Sequence, residues 1–356
     1  MYTVPRRVAL PLISVLIAAT LFFTVTYKST YRLKPESTPE IEVKNTNEEI
    51  KRSKKGSRLI MGNSTESSQK LTEQHGTTLY KKYGVPITGL NHTIIYNKMP
   101  KCGSRTMDTL LRWTCSKLDI KPRRCKIVYD FERIDLKGKE ESAIKRVQQL
   151  AAHPPALFSD HIFYFPVEKS IHPVYINMIR DPIEYLVSSY YYRQHGDKTP
   201  GSVDRVKKKF GLEMKMNETF DQCVLKEHEA CVKEEYLSRI FHFFCGTHPK
   251  CSTDLKWSLN EAKRRVEEEY LIVGLLEDYE STLRLMEKLA PSLFNGIVTD
   301  YKADIRKKES EKYQTNFKKP ISAEVRAILR EKLDLTYQFY DFVKTKLELL
   351  KKEYDI

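Results

Sequence analysis

Thr93-Ile94-Ile95-Tyr96-Asn97-Lys98-Met99-Pro100-Lys101-Cys102-Gly103-Ser104-Arg105-Thr106 holds three structural signals in succession. The apolar run at its start predicts a strand. Pro100 and Gly103 mark a tight turn, and the apolar spacing from Thr106 onward predicts an amphipathic helix. A turn that feeds a helix in this way aims several backbone N–H groups at one spot, which suits a phosphate. Lys101 adds a point charge, Ser104 and Thr106 add hydroxyls, and Gly103 lets the backbone approach an anion closely. The implied chemistry is group transfer from a nucleotide-type donor. A capped helix start with an exposed lysine has the same signature, so the turn alone does not decide the matter. It is not a Walker A loop, because the lysine precedes the glycine and no Gly-x-x-x-x-Gly-Lys-Ser/Thr is present.

Working outward, further strand-like runs lie at Ala156–Phe158, Val174–Ile179 and Tyr270–Leu275. Helix-like stretches lie at Thr106–Leu118, Glu140–Ala152, Ile183–Arg193, Lys233–Phe243, Leu259–Glu269, Tyr279–Leu289 and Ala323–Lys352. The alternation predicts an α/β fold with a central, mainly parallel sheet flanked by helices. Ligands of such sheets sit at the carboxyl ends of the strands, where the basic turn falls. A second stretch, Val174-Tyr175-Ile176-Asn177-Met178-Ile179-Arg180-Asp181-Pro182, ends at the same kind of place. Asp181 is a plausible N-cap and Pro182 a plausible first helical residue. Arg180 then stands at a strand's end, where its planar fork can grip a phosphate, and Ser188 follows about two helical turns later. An ordinary strand-to-helix junction with an Arg–Asp surface pair is the plainer alternative. A third stretch, Leu157-Phe158-Ser159-Asp160-His161-Ile162-Phe163, places a histidine just after a strand. Taken alone, such a histidine is more often structural.

The chain has 356 residues and a net charge of +14. Val8 to Tyr27 is an uncharged segment of about 20 residues, the length a helix needs to cross a bilayer. It predicts a signal-anchor over 8–27 behind a short cytoplasmic tail, 1–7. A cleaved signal peptide competes, but the run is long and Leu21-Phe22-Phe23-Thr24-Val25 offers no small-residue cleavage site. Residues 28–85 are rich in Lys, Glu, Ser, Thr and Asn and read as a lumenal stem, leaving 86–356 for one catalytic domain. Asn63, Asn91 and Asn217 begin N-glycosylation acceptors. Cys223/Cys231 and Cys245/Cys251 lie close enough in sequence for short-loop disulfides in an oxidising compartment, four unpaired thiols being the alternative. Of the remaining three cysteines, Cys102 sits in the turn, and Cys115 and Cys125 are candidates to pair with each other. The basic excess favours a polyanionic partner, and in such a compartment an anionic polysaccharide is a better candidate than nucleic acid.

Together, Lys101-Cys102-Gly103-Ser104-Arg105-Thr106 after one strand and Ile179-Arg180-Asp181-Pro182 with Ser188 after another resemble the sulfotransferase family. More narrowly, the chain resembles the uronyl 2-O-sulfotransferases, which modify uronic acids in glycosaminoglycans. Tyr96-Asn97-Lys98, Tyr190-Tyr191-Tyr192, Gly196-Asp197, Phe243-Phe244-Cys245-Gly246 and Leu271-Ile272-Val273-Gly274-Leu275-Leu276-Glu277 extend the likeness, as does the spacing of the two cysteine pairs. Cys102-Gly103-Ser104-Arg105 looks closer to the dermatan/chondroitin branch than to the heparan branch. The resemblance implies a P-loop-like sulfotransferase fold and 3′-phosphoadenosine 5′-phosphosulfate as donor, without a metal. It implies that Lys101 to Thr106 hold the 5′-phosphosulfate, that Arg180 and Ser188 hold the 3′-phosphate, and that Lys101 stabilises the leaving oxygen. It makes His161 the catalytic base; the heparan branch has a second histidine where this chain has Ser159. The loop before the last helix aligns loosely with a donor-closing loop, which makes Thr315 and Lys318 donor contacts. Arg205, Lys207 and Lys208 form a basic run that can meet acidic sugars or serve only as a solvated face. The implied location is the Golgi membrane, with the catalytic domain lumenal and a homo-oligomer left open. A nucleotide kinase is disfavoured by the missing Walker A loop, and a polysaccharide-binding pseudoenzyme by the presence of Lys101, His161, Arg180 and Ser188.

Overall fold

The computed structural model describes residues 86–128, 139–210, 218–303 and 311–356. The expected tail, anchor and stem over residues 1–85, and the acceptors Asn63 and Asn217, lie outside the described residues. Among the described residues no helix is long and apolar enough to cross a membrane. Asn91 is exposed, two residues ahead of the first strand.

Five strands form one sheet: β1 (Thr93–Asn97), β2 (Cys125–Ile127), β3 (Ala156–Asp160), β4 (Pro173–Ile179) and β5 (Tyr270–Leu275). Their order is β2-β3-β1-β4-β5, and every neighbouring pair is parallel. The expected α/β fold is therefore present. β1 and β5 are buried along their whole length, as strands covered on both faces by crossover helices must be. The longer helices are α1 (Ser104–Lys117), α2 (Lys139–Ala151), α3 (Pro182–His195), α4 (Ser202–Phe210), α5 (Leu255–Glu268), α6 (Tyr279–Leu289), α7 (Ala323–Lys332) and α8 (Asp334–Glu353). From β1 the chain crosses to β2, beyond β3; from β4 it crosses the other way to β5. The strand order thus reverses between β1 and β4, which opens a crevice at their carboxyl ends.

Two expected helices are each two. The stretch Lys233–Phe243 divides into Glu234–Leu237 and Arg239–Cys245 at Ser238, whose hydroxyl donates back to the Glu234 carbonyl at 2.9 Å. The stretch Ala323–Lys352 divides at Leu333, which has φ −99° and ψ 15°. There α7 packs on α3 while α8 packs on α5 and β5, so one apolar period serves two differently directed faces. Strand β2 has only three residues, none of them buried, which is too short for a period to show. The expected pairs Cys223–Cys231 and Cys245–Cys251 are disulfides, and Cys115–Cys125 staples α1 to β2. Cys102 is unpaired and buried.

The exit of β1 is braced from β4 by a buried amide. Asn177 donates to the Asn97 carbonyl at 2.6 Å and to Asn97 Oδ1 at 3.0 Å. Its Oδ1 accepts from the backbone N–H of Met178 at 2.8 Å and of Met99 at 3.4 Å, and Tyr270 donates to Asn97 Oδ1 from β5. Removing a buried amide with several partners leaves those partners unsatisfied. Asn177→Ala is expected to lower unfolding free energy by about 2 kcal/mol, read as a lower urea midpoint at unchanged slope. A loss below about 0.5 kcal/mol would show that the brace is dispensable.

Candidate active site

The exits of β1, β3 and β4 open on one cavity of about 620 Å³. At the β1 exit, Lys101 (φ 60°) and Gly103 (φ 77°) are both left-handed, which swings the chain from strand into α1 around the buried Cys102. A Cβ at position 103 would stand 2.8 Å from Leu276 Cδ1 and 3.0 Å from Tyr279 Cε2, so only glycine keeps this cradle open. Lys101 holds a left-handed conformation without being glycine, a strain of about 1–3 kcal/mol of the kind found at ligand sites. Burial pushes the Cys102 thiol up, so it stays protonated and packs as a small apolar group.

The Lys101 ammonium lies over the Tyr192 ring, 3.9 Å from its centroid. Burial, and then the nearby charges of Arg105 and Arg180, lower its pKa to about 7 against the opposing charge of Asp197. Arg105 is engaged with Asp197 at 2.6 Å and lies over the Tyr313 ring at 4.8 Å. Burial alone would raise the Asp197 carboxyl; hydrogen bonds from Thr199 and the charge of Arg105 outweigh it and hold the group ionised.

The second constellation forms as the sequence predicts. Asp181 caps α3 by accepting from the Glu184 N–H at 3.0 Å, with Pro182 as the first helical residue. Arg180 stands at the β4 exit, 3.5 Å from Glu184 and 3.8 Å from Glu277. Its Nε is buried and has no hydrogen-bond partner. Ser188 lies on the cavity wall, and its hydroxyl meets that of Thr315 at 3.1 Å. Thr315 pairs with Asp197 in an antiparallel bridge, and Asn316 bonds the carbonyls of His195 and Asp197. The segment carrying Thr315 and Lys318 is thus strapped to the end of α3. Lys318 is paired with Glu184, whose carboxyl is held below its usual range: burial raises it, but Lys318, Arg180 and Arg326 outweigh burial.

His161 enters the cavity wall from the β3 exit, with Nδ1 2.9 Å from the Lys98 carbonyl oxygen. A carbonyl only accepts, so Nδ1 carries the proton. Lys101, Gly103 to Thr106, His161, Arg180, Ser188, Thr315 and Lys318 all line this one space. Arg205, Lys207 and Lys208 do not; they are exposed on α4, and Arg205 is tied to the Pro200 carbonyl and the Thr199 hydroxyl. Reading the sequence assigned no role to the partners that set these groups: Tyr192, Asp197 and Lys98, quoted only as part of the family likeness, and Tyr313 beside Arg105. Among the described residues the one cluster of metal-type ligands is Glu218, Cys223 and His228, and Cys223 is in a disulfide.

The cavity fits a multiply anionic nucleotide. Among the described residues, five cationic side chains, Lys101, Arg105, Arg180, Lys198 and Lys318, and one carboxylate, Asp197, line its wall. The Arg180 Nε is buried and makes no hydrogen bond, so a donor remains there for an oxyanion to satisfy. The sulfotransferase family matches residues 87–343, and the chain belongs to that family. It is accordingly a sulfotransferase, and the donor the family implies is 3′-phosphoadenosine 5′-phosphosulfate. Among its relatives is uronyl 2-sulfotransferase of Homo sapiens, 30% identical over 301 residues that cover 84% of this chain and 70% of the relative. The Mus musculus protein of the same name is 30% identical over 83% of this chain and 70% of its own length. Heparan sulfate 2-O-sulfotransferase 1 of Xenopus laevis is 29% identical over 72% of this chain and 71% of its own length.

Two outcomes are expected. Lys101 keeps its charge below about pH 7 and loses it above, so kcat/KM for the donor falls as pH rises through about 7. In Lys101→Arg, whose guanidinium does not titrate there, that limb disappears even if the rate is lower. Arg180→Ala is expected to weaken adenosine 3′,5′-bisphosphate binding about 10- to 100-fold by calorimetry, the loss of a charged hydrogen-bonding partner. Unchanged affinity would remove Arg180 from the donor site.

Proposed function

We propose that the chain transfers the sulfuryl group of 3′-phosphoadenosine 5′-phosphosulfate to the 2-hydroxyl of uronic acid residues in a glycosaminoglycan, with dermatan and chondroitin sulfate favoured. The observation that carries this reading is the meeting of His161 with Lys101, Arg180 and Ser188 on one cavity wall. The favoured acceptors rest on the likeness to uronyl 2-sulfotransferases and on the turn Cys102-Gly103-Ser104-Arg105, which looks closer to the dermatan/chondroitin branch.

When bound, the donor supplies an activated sulfuryl group and a bisphosphate leaving group. The protein supplies position and charge, which such a transfer chiefly needs. Backbone N–H groups from Gly103 to Thr106, with the Ser104 and Thr106 hydroxyls, hold the 5′-phosphate. Arg180, Ser188, Thr315 and Lys318 hold the 3′-phosphate. His161 Nε2, the ring nitrogen left without a proton, takes the proton of the attacking sugar hydroxyl. Lys101 leaves the Tyr192 ring to neutralise charge on the departing oxygen. The roles of these residues need no metal. Arg205, Lys207 and Lys208 widen the basic field along the path of an acidic chain.

The same reading places the enzyme in the Golgi as a single-pass type II protein. Residues 8–27 anchor it, residues 28–85 form the stem, residues 86–356 lie in the lumen, and Asn63, Asn91 and Asn217 carry glycans. The three disulfides support an oxidising compartment. A homo-oligomer is compatible with it.

Incubation with radiolabelled donor and dermatan, chondroitin or heparan sulfate, followed by disaccharide analysis, tests the proposal. Label on the 2-position of uronic acid is expected, and polysaccharide binding without transfer would overturn it. His161→Ala should lower kcat by about 10²- to 10⁴-fold with adenosine 3′,5′-bisphosphate affinity kept. Loss of both would mark the histidine as structural.

A further inference from the structure

Beneath the cavity lies a buried charge cluster that the roles above do not use. The Lys98 side chain is 1% exposed, and its ammonium meets Asp108 Oδ2 at 2.6 Å and the Val128 carbonyl at 2.8 Å. The second Asp108 oxygen accepts from the Ser159 hydroxyl at 2.6 Å. Asp108 is 2% exposed and Ser159 is fully buried. Both Asp108 oxygens accept, so the group is a carboxylate and the pair is ionic. Burial opposes both charges, lowering the Lys98 pKa and raising that of Asp108, and each partner offsets the other's cost.

The position of this pair gives it a consequence. Lys98 N–H donates to the Asp160 carbonyl at 2.8 Å, and Lys98 C=O accepts from His161 Nδ1. The backbone of Lys98 therefore meets the histidine, while its side chain is tied to α1 through Asp108 and to the Val128 carbonyl just past β2, and Asp108 in turn holds Ser159 of β3. Asp108 belongs to α1, the helix that begins at the anion-binding turn. Lys101 is three residues further along the same backbone. The base and the leaving-group lysine thus hang from one anchored segment.

We infer that Lys98, Asp108 and Ser159 are positioning residues for His161: they hold the Lys98 carbonyl on Nδ1, so that Nε2 is the atom kept free of a proton for the acceptor hydroxyl. This rests on the function proposed above. In this arrangement a buried ion pair, with Ser159 as its third member, fixes one tautomer and one orientation of a single histidine.

The test uses the full chain with ¹⁵N-labelled histidine, His161 being assigned by its loss in His161→Gln. In the unmodified protein the ¹⁵N shifts are expected to report a protonated Nδ1 and an unprotonated Nε2. Asp108→Asn is expected to lower kcat about 10- to 100-fold, with donor-product affinity within about twofold and a mixed tautomer at His161. If that variant does not fold, Lys98→Met/Asp108→Leu removes both charges together and leaves neither unpaired. The same drop in kcat and the same mixed tautomer are expected of it. A wild-type tautomer and kcat in either folded variant, with only a lower melting temperature, would overturn the inference and leave the cluster structural. Absence of transfer in the unmodified enzyme would overturn the proposed function instead, and the tautomer readout would still decide the positioning role.

Discussion

Parallel pairing of β1 with both β3 and β4 is the constraint on which the site depends. The register sets Asn97 opposite Asp160 and Tyr96 opposite Ile176, so the three strands end nearly level on one edge. Each strand then delivers one chemical group: β1 the basic turn with Lys101, β3 His161, and β4 Arg180. None of the three lies within a long loop of its own. The Asn177 amide and the Lys98–Asp108 pair lock these exits from opposite sides of β1. Their polar atoms are buried where water cannot replace them, which makes their geometry costly to change.

Charge in and around the cavity is balanced by ion pairs. Asp197 holds Arg105, and Glu184 is shared among Arg180, Lys318 and Arg326. These carboxylates keep mutually repelling cations in place before an anion arrives. Lys101 is lowered to about 7 by burial and by the nearby charges of Arg105 and Arg180, so a neighbouring anion would favour its charged form. The strap through Thr315 and Asn316 is bonded to Gly196 and Asp197, so this part of the cavity wall is tied to the acid that holds Arg105.

Much of this was legible in the sequence because it is local. A strand, a glycine turn and a helix start are contiguous in Thr93 to Thr106, and the cap and proline of Asp181-Pro182 fix a helix start without tertiary help. Lys101, His161 and Arg180 were therefore placed at strand ends by position alone, and the structure brings them to one cavity wall. What stayed hidden is long-range. Nothing near Lys98 announces that its side chain turns into the core, because a lysine after a strand looks like a surface residue until Asp108, ten positions on, is folded against it. The break at Leu333 was hidden for a similar reason: it reflects which neighbours α7 and α8 meet, and an apolar period records only that a face is buried. The basic run at Arg205 is local and conspicuous in the sequence, and it lies exposed and outside the cavity wall.

The central claim is that one cavity holds the donor by two anchor points, the turn after β1 and the Arg180–Ser188 face. A crystal structure with adenosine 3′,5′-bisphosphate tests it most directly. The account predicts the 5′-phosphate on the backbone N–H groups of Gly103 to Thr106, with Lys101 turned from Tyr192 toward it, and the 3′-phosphate on Arg180 and Ser188. A nucleotide bound elsewhere, or bound with the two phosphates exchanged, would contradict it.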